Sequence, residues 1–185
     1  NFNIDLDKVE QLLAKDKQKK IKAIIPVYFA GKPFDYKRLN SIAKKYNLFV
    51  LEDAAHAIET ISELKVRNTV ALSFYANKNI TTGGEGGALA TNSSSIAEKV
   101  RKLSLHGISK DGWQRFKVGA KWKYDVSELG YKYNMTDIAA SFGLNQLENI
   151  NSWRFRRIQI VNKYNLFLSE IEGVDNPEFV KNENH

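Results

Sequence analysis

Ile21-Lys22-Ala23-Ile24-Ile25-Pro26-Val27-Tyr28-Phe29, followed by Ala30-Gly31-Lys32-Pro33, the segment Tyr36 to Tyr46, and Leu48-Phe49-Val50-Leu51, is the stretch on which the fold turns. The first run is apolar and β-branched enough for a strand buried on both faces. Pro26 marks its end or a bulge, because proline cannot donate to a sheet ladder. After the glycine-proline turn, Leu39, Ile42, Ala43 and Tyr46 recur at helical spacing, and the short apolar run at Leu48 returns to strand character. Strand, helix and strand in that order predict a parallel pair joined by a right-handed crossover, hence an α/β fold. Ligands in such sheets gather beyond the carboxyl ends of the strands. Glu52 and Asp53 stand at one of those ends.

Working outward, Val70 to Tyr75 reads as another short strand, Ala76 to Gly86 as a loop, and Gly87 to Thr91 as a further strand. Ser93, Ser94 and Ser95 are suited to cap a helix running to about Leu105. Residues 106 to 130 hold Gly107, Gly112, Gly119 and Gly130 among aromatic and basic residues and read as a long irregular segment. From Asn134, the residues Ile138, Phe142, Gln146 and Asn149 keep helical period, and a second helix is expected from about Ser152 to Ile171. No internal repeat or low-complexity tract interrupts this order.

The chain has 185 residues, with 43% hydrophobic and 26% charged, which fits one packed domain or a large piece of one. Its 28 Lys and Arg against 21 Asp and Glu give a net charge of +7. The basic residues are scattered, as in Lys15-Asp16-Lys17-Gln18-Lys19-Lys20, rather than gathered on one groove-reading helix, which disfavours nucleic acid as a partner. With no cysteine there is neither a disulfide framework nor a thiolate metal site, and no metal is expected. No apolar run is long enough for a membrane span. The cytoplasm is the expected compartment. The chain opens at Asn1 rather than Met, without a secretion signal, and reads as cut from something longer.

Chemistry concentrates in Ser73-Phe74-Tyr75-Ala76-Asn77-Lys78-Asn79-Ile80-Thr81-Thr82-Gly83-Gly84-Glu85-Gly86-Gly87, a lysine between two strands followed closely by four glycines. A solvated loop lysine with turn glycines has the same appearance. The glycines match neither the P-loop, which needs Gly-Lys-Ser/Thr, nor the dinucleotide fingerprint. Upstream lies Glu52-Asp53-Ala54-Ala55-His56-Ala57, in which Asp53 is either a helix cap or a functional acid. A lysine able to form a Schiff base and an acid able to face a pyridinium nitrogen are together what pyridoxal phosphate chemistry requires.

With His106-Gly107-Ile108-Ser109 and Gly130-Tyr131-Lys132-Tyr133-Asn134-Met135-Thr136-Asp137-Ile138 downstream, these motifs resemble, in order, those of the DegT/DnrJ/EryC1/StrS family of sugar aminotransferases. The resemblance covers residues 20 to 172. It implies the type I pyridoxal-phosphate-dependent, aspartate-aminotransferase-like fold, whose large domain is a mostly parallel sheet flanked by helices. Residues 1–150 correspond to a portion of that large domain, and residues 151–185 to a long helix leading toward a small C-terminal domain. Lys78 corresponds to the lysine that holds the cofactor as an aldimine and shuttles the proton. Asp53 corresponds to the carboxylate on the ring nitrogen, Ser73 to a hydroxyl on the cofactor phosphate, and His56 to a His or Gln near the ring's phenolic oxygen.

Asn134 corresponds to a residue reaching the neighbouring subunit's cofactor phosphate. That role implies a homodimer with composite sites; Asn134 with Asp137 also has the pattern of a helix cap. The implied reaction moves an amino group, with glutamate as donor, to a nucleotide-linked keto-sugar. Family members that replace the lysine with histidine are dehydratases, so Lys78 argues for transamination. The residues between Ile58 and Val70 are short and glycine-free where the family has a longer glycine-containing hairpin. Two other classes compete: a non-catalytic nucleotide-sugar-binding module, which has no use for this lysine and acid, and a doubly wound dehydrogenase, which needs a glycine fingerprint after its first strand.

Overall fold

Three short parallel strands and one antiparallel strand form the frame of the protein, here described from a computed structural model over residues 2–63, 68–108 and 125–174. The strands are β1 (Ala23–Ile24), β2 (Phe49–Asp53), β3 (Thr69–Ser73) and β4 (Gly87–Ala90), in the order β1-β2-β3-β4. β1 pairs parallel with β2 through Ala23↔Phe49, and β2 pairs parallel with β3 through Asp53↔Ala71. β4 returns antiparallel to β3, with Ser73 opposite Gly87. The helices are α1 (Leu6–Lys15), α2 (Tyr36–Tyr46), α3 (Ile58–Glu63), α4 (Ser94–Leu103) and α5 (Asp137–Leu168), and a 3-10 turn spans Phe29–Gly31. This is the α/β architecture expected from the strand–helix–strand reading.

Helix α2 occupies the span that its periodicity predicts. Asp35 caps its start by accepting from the Arg38 N–H at 3.0 Å, and Asn47 ends it in the left-handed region that Asn tolerates better than most residues. Its Leu39, Ile42 and Ala43 pack with Leu6 and Leu13 of α1 onto Ile24 and Val50. Burying each large aliphatic side chain in that layer stabilises the fold by roughly 1.5–3 kcal/mol. Helix α1 is absent from the periodicity reading, although Asp5 caps it and Leu6, Val9 and Leu13 supply its apolar stripe.

The first strand departs from expectation. Only Ala23–Ile24 form a ladder, and Val27 adds a single bridge to Asp53 beyond Pro26. Ile24, Pro26 and Tyr28 are buried while Ile25, Val27 and Phe29 are exposed, so one face is covered rather than two. The strand lies at the sheet edge, and α1 and α2 reach only one of its sides. The two helices expected after residue 134 are one helix of 32 residues, about 48 Å long at 1.5 Å per residue and uninterrupted across residues 150 and 151. Thr136, not Asn134, caps it by accepting from the Ala139 N–H at 3.2 Å. The segment 106–130 is also more ordered at its ends than an irregular reading implies. Leu105↔Lys132 and Ile108↔Val126 bridge antiparallel, and Gly107 and Gly130 approach so closely that a Cβ on either would collide with the other's strand. Trp113, Phe116, Trp122 and Tyr124, between those ends, lie outside the described residues.

Glu52, fully buried in β2, accepts from the Tyr28 hydroxyl at 2.8 Å, from the Asn68 amide at 2.7 Å, and from the Tyr36 hydroxyl in a short contact. Burial, reinforced by this carboxylate, pushes both phenols well above the usual tyrosine range. The stability they contribute is fully present below the unfolded phenol value of about 10 and is lost as pH rises toward the raised folded values. Unfolding free energy measured by urea titration is therefore expected to fall above about pH 10, and Tyr28→Phe to flatten that fall. Glu52→Ala, which strands three donors, is expected to cost about 3 kcal/mol at neutral pH.

Candidate active site

Asp53, Ser73 and the loop that starts after β3 all lie at the carboxyl ends of the two central strands, because β2 and β3 run parallel and end side by side. Asp53 is held there by its backbone: its N–H donates to Pro26 O and its carbonyl accepts from Tyr28 N–H, both at 2.9 Å. Its side chain Oδ1 accepts from the Ala55 N–H at 3.0 Å, which turns the chain sharply toward His56. Successive residues of a strand point to opposite faces, so Glu52 buried on one side places Asp53 on the other.

Lys78 stands in a half-buried position on the loop between β3 and β4, and its Nζ lies 2.7 Å from Nε2 of His56. With the lysine charged, Nζ donates and the imidazole carries its proton on Nδ1. The loop is pinned on both sides of the lysine. Lys78 N–H donates to Tyr75 O at 3.0 Å, Ile80 is buried, and Thr82 N–H donates to Phe74 O at 3.1 Å while the Thr82 hydroxyl donates to Glu85 O at 3.0 Å. Phe74 N–H closes the loop on Gly86 O at 2.8 Å. Ser73, the last residue of β3, accepts from the Tyr75 N–H at 3.4 Å through Oγ.

Four of the five residues singled out in the sequence therefore sit at or just beyond the carboxyl ends of β2 and β3: Asp53, His56, Ser73 and Lys78. Asn134 does not join them. It is exposed, two residues before the α5 cap, and makes no hydrogen bond to the other four among the described residues. Gln146 was legible only as a helix-period residue, yet its Oε1 accepts from the Thr81 N–H at 2.8 Å and fastens α5 to the lysine loop. Its signal was its place with Gly143 and Ile150 on one helical face. No group of His, Asp and Glu suited to a metal occurs among the described residues, and none of their helices is long and apolar enough to cross a membrane.

The sequence pattern of the DegT/DnrJ/EryC1/StrS aminotransferase family matches residues 1–185. The chain belongs to that family. It is 43% identical to an uncharacterized protein of Methanocaldococcus jannaschii over 188 residues, covering 100% of this chain and 47% of that protein. It is 40% identical to the spore coat polysaccharide biosynthesis protein SpsC of Bacillus subtilis, covering 95% of this chain and 45% of SpsC. Among solved structures, a DegT DnrJ EryC1 StrS aminotransferase from Brucella abortus superposes with a TM-score of 0.81 at 27% identity, over 99% of this chain and 48% of that one. Helicobacter pylori PseC, an aminotransferase involved in the biosynthesis of pseudoaminic acid, gives a TM-score of 0.74 at 28% identity, over 92% of this chain and 43% of PseC. The chain thus spans about half the length of the curated relatives it matches, and its fold is that of the pyridoxal-phosphate-dependent sugar aminotransferases.

The glycines of the family motif differ in what they demand. A Cβ on Gly86 would stand 2.1 Å from the Thr82 hydroxyl, whereas one on Gly84 would meet nothing within 4 Å. Gly86→Ala is expected to cost about 1–3 kcal/mol as Thr82 is forced off its bonds, and Gly84→Ala to stay within about 0.5 kcal/mol. Denaturant titrations of the two variants check the contrast.

Proposed function

We propose that the protein is an aminotransferase that uses pyridoxal phosphate and Lys78 to move an amino group from glutamate to a nucleotide-linked keto-sugar. The observation that carries the reading is the contact between Lys78 Nζ and His56 at the same end of the sheet as Asp53 and Ser73. Family membership and the similarity to SpsC and PseC support a sugar substrate. The residues present fit the cofactor: an amine, a carboxylate and a hydroxyl are the donor set that an aldehyde, a ring nitrogen and a phosphate call for. When bound, pyridoxal phosphate supplies an aldehyde that takes up the amino group and a ring that accepts electron density.

Lys78 would hold the cofactor through Nζ and, once released, carry the proton at that same atom between substrate and cofactor carbons. The His56 imidazole, already touching Nζ, would orient the amine and offer a ring nitrogen to the cofactor's phenolic oxygen. Asp53 would supply a negative charge that favours the protonated ring nitrogen, and the half-exposed Ser73 hydroxyl would donate to the phosphate. Asn134 reaches the phosphate of a second subunit in a homodimer with composite sites, a role consistent with its exposure and its lack of a capping bond. Exposed Phe142, Leu144, Leu147, Phe155 and Phe167 on α5 also suit a helix that is covered on several sides in the assembled enzyme. Residues 1–150 are assigned to the large domain and 151–185 to the connection toward the small one. The cytoplasm is the proposed compartment.

The wild-type full-length enzyme is expected to show a visible absorption band that borohydride abolishes. Lys78→Ala is expected to lose both that band and at least about 1000-fold in kcat, the scale set by removing a covalent catalyst and its proton transfer. Asp53→Asn is expected to lower kcat by about 100-fold while cofactor content falls much less, as measured by turnover and absorbance on one preparation. Comparable turnover by Lys78→Ala sinks the assignment.

The composite site has its own test. Mixing inactive Lys78→Ala subunits with subunits inactivated at Asn134 is expected to restore activity, because one intact site forms in each heterodimer. Mixtures no more active than the separate variants remove Asn134 from the site.

A further inference from the structure

Glu59 belongs to none of the motifs read from the sequence, yet it is 6% exposed and sits on α3, three residues after His56. It accepts from the Asn79 amide at 2.7 Å, and Arg157 of α5 donates to its other oxygen in a short ion pair. A carboxylate persists in such a setting when it is both paired and hydrogen-bonded. The segment 56–59 and the segment 78–79 therefore meet at two adjacent points, His56 with Lys78 and Glu59 with Asn79.

On α5 the residues involved form one stripe. Gly143, Gln146, Ile150 and Arg157 follow at intervals of three, four and seven, which keeps them within one face of an α-helix. Gly143 admits the Thr82 methyl, Gln146 holds the Thr81 N–H, and Arg157 holds Glu59. The lysine loop is laid along this face rather than resting only on its own hairpin.

We propose that Glu59 is a positioning residue for Lys78: fixed by Arg157, its carboxylate holds Asn79 and so sets where the adjacent lysine amine stands. The proposal rests on the assignment of Lys78 as the cofactor lysine. A purely structural ion pair needs Glu59 and Arg157 alone; the Asn79 bond ties that pair to the residue next to the nucleophile. Glu59→Gln removes the charge at nearly constant volume, and Asn79→Ala removes the link from a half-buried loop position without opening the core.

The test reads the amine rather than turnover. Full-length protein freed of cofactor is treated with pyridoxal phosphate and then borohydride at a series of pH values, and the tag on the Lys78 peptide is followed by mass spectrometry. Glu59→Gln and Asn79→Ala are each expected to slow tagging about tenfold, the scale of losing one hydrogen bond to a charged group, with the thermal midpoint of Asn79→Ala close to wild type. The double variant is expected to be no slower than the slower single, because both act through one contact. Tagging at the wild-type rate in Asn79→Ala, or effects that multiply in the double variant, overturn the positioning role alone. A wild-type Lys78 that takes no tag overturns the functional assignment and this inference with it.

Discussion

A single buried carboxylate organises the structure. Glu52 lies at the end of β2 without access to water, and its two oxygens are satisfied by Tyr28 after β1, Tyr36 at the start of α2 and Asn68 before β3. A charge in that position is tolerated only with such partners, since an unpaired one costs several kcal/mol. The three donors come from three different elements, so meeting the demand of one side chain brings the edge strand, its helix and the next strand into register. Strand alternation then leaves Asp53 no choice of face.

The candidate site inherits its geometry from that register and from α5. Parallel pairing aligns the ends of β2 and β3, which brings Asp53 and Ser73 to one end of the sheet. The antiparallel return of β4 makes the loop between β3 and β4 short enough to be closed by its own backbone, with Phe74 N–H on Gly86 O. What stops that loop from lying elsewhere is contact with a helix more than 60 residues away in sequence, through Gln146 on the Thr81 N–H. Lys78 reaches His56 because both ends of this arrangement are fixed.

Much of this was legible beforehand. Helix α2 and its caps, the strand ending at Asp53, and the serine-capped α4 follow from period and capping residues, which are local properties. The lysine, acid, histidine and serine were legible through their motif. Local rules failed where distant packing decided the outcome. Whether the run at Ile21 is covered on one face or two depends on which helices reach it, and the two expected helices are one because α5 runs without a break from Asp137 to Leu168, with contacts to the lysine loop on one side of residue 150 and to Glu59 on the other. Thr136 displaced Asn134 as the cap because the helix starts one residue after it.

Sequence alone determined the α/β class, the order of the strands and helices around Asp53, and the family to which the chain belongs, because periodicity and motif residues are carried by neighbouring positions. Only the tertiary structure decided that Lys78 touches His56, that Glu52 is a hub rather than a second site acid, and that Glu59 and Arg157 join the loop from positions 98 residues apart. Those are long-range hydrogen bonds and ion pairs, and their partners are chosen by how the sheet and α5 pack rather than by anything adjacent in the chain.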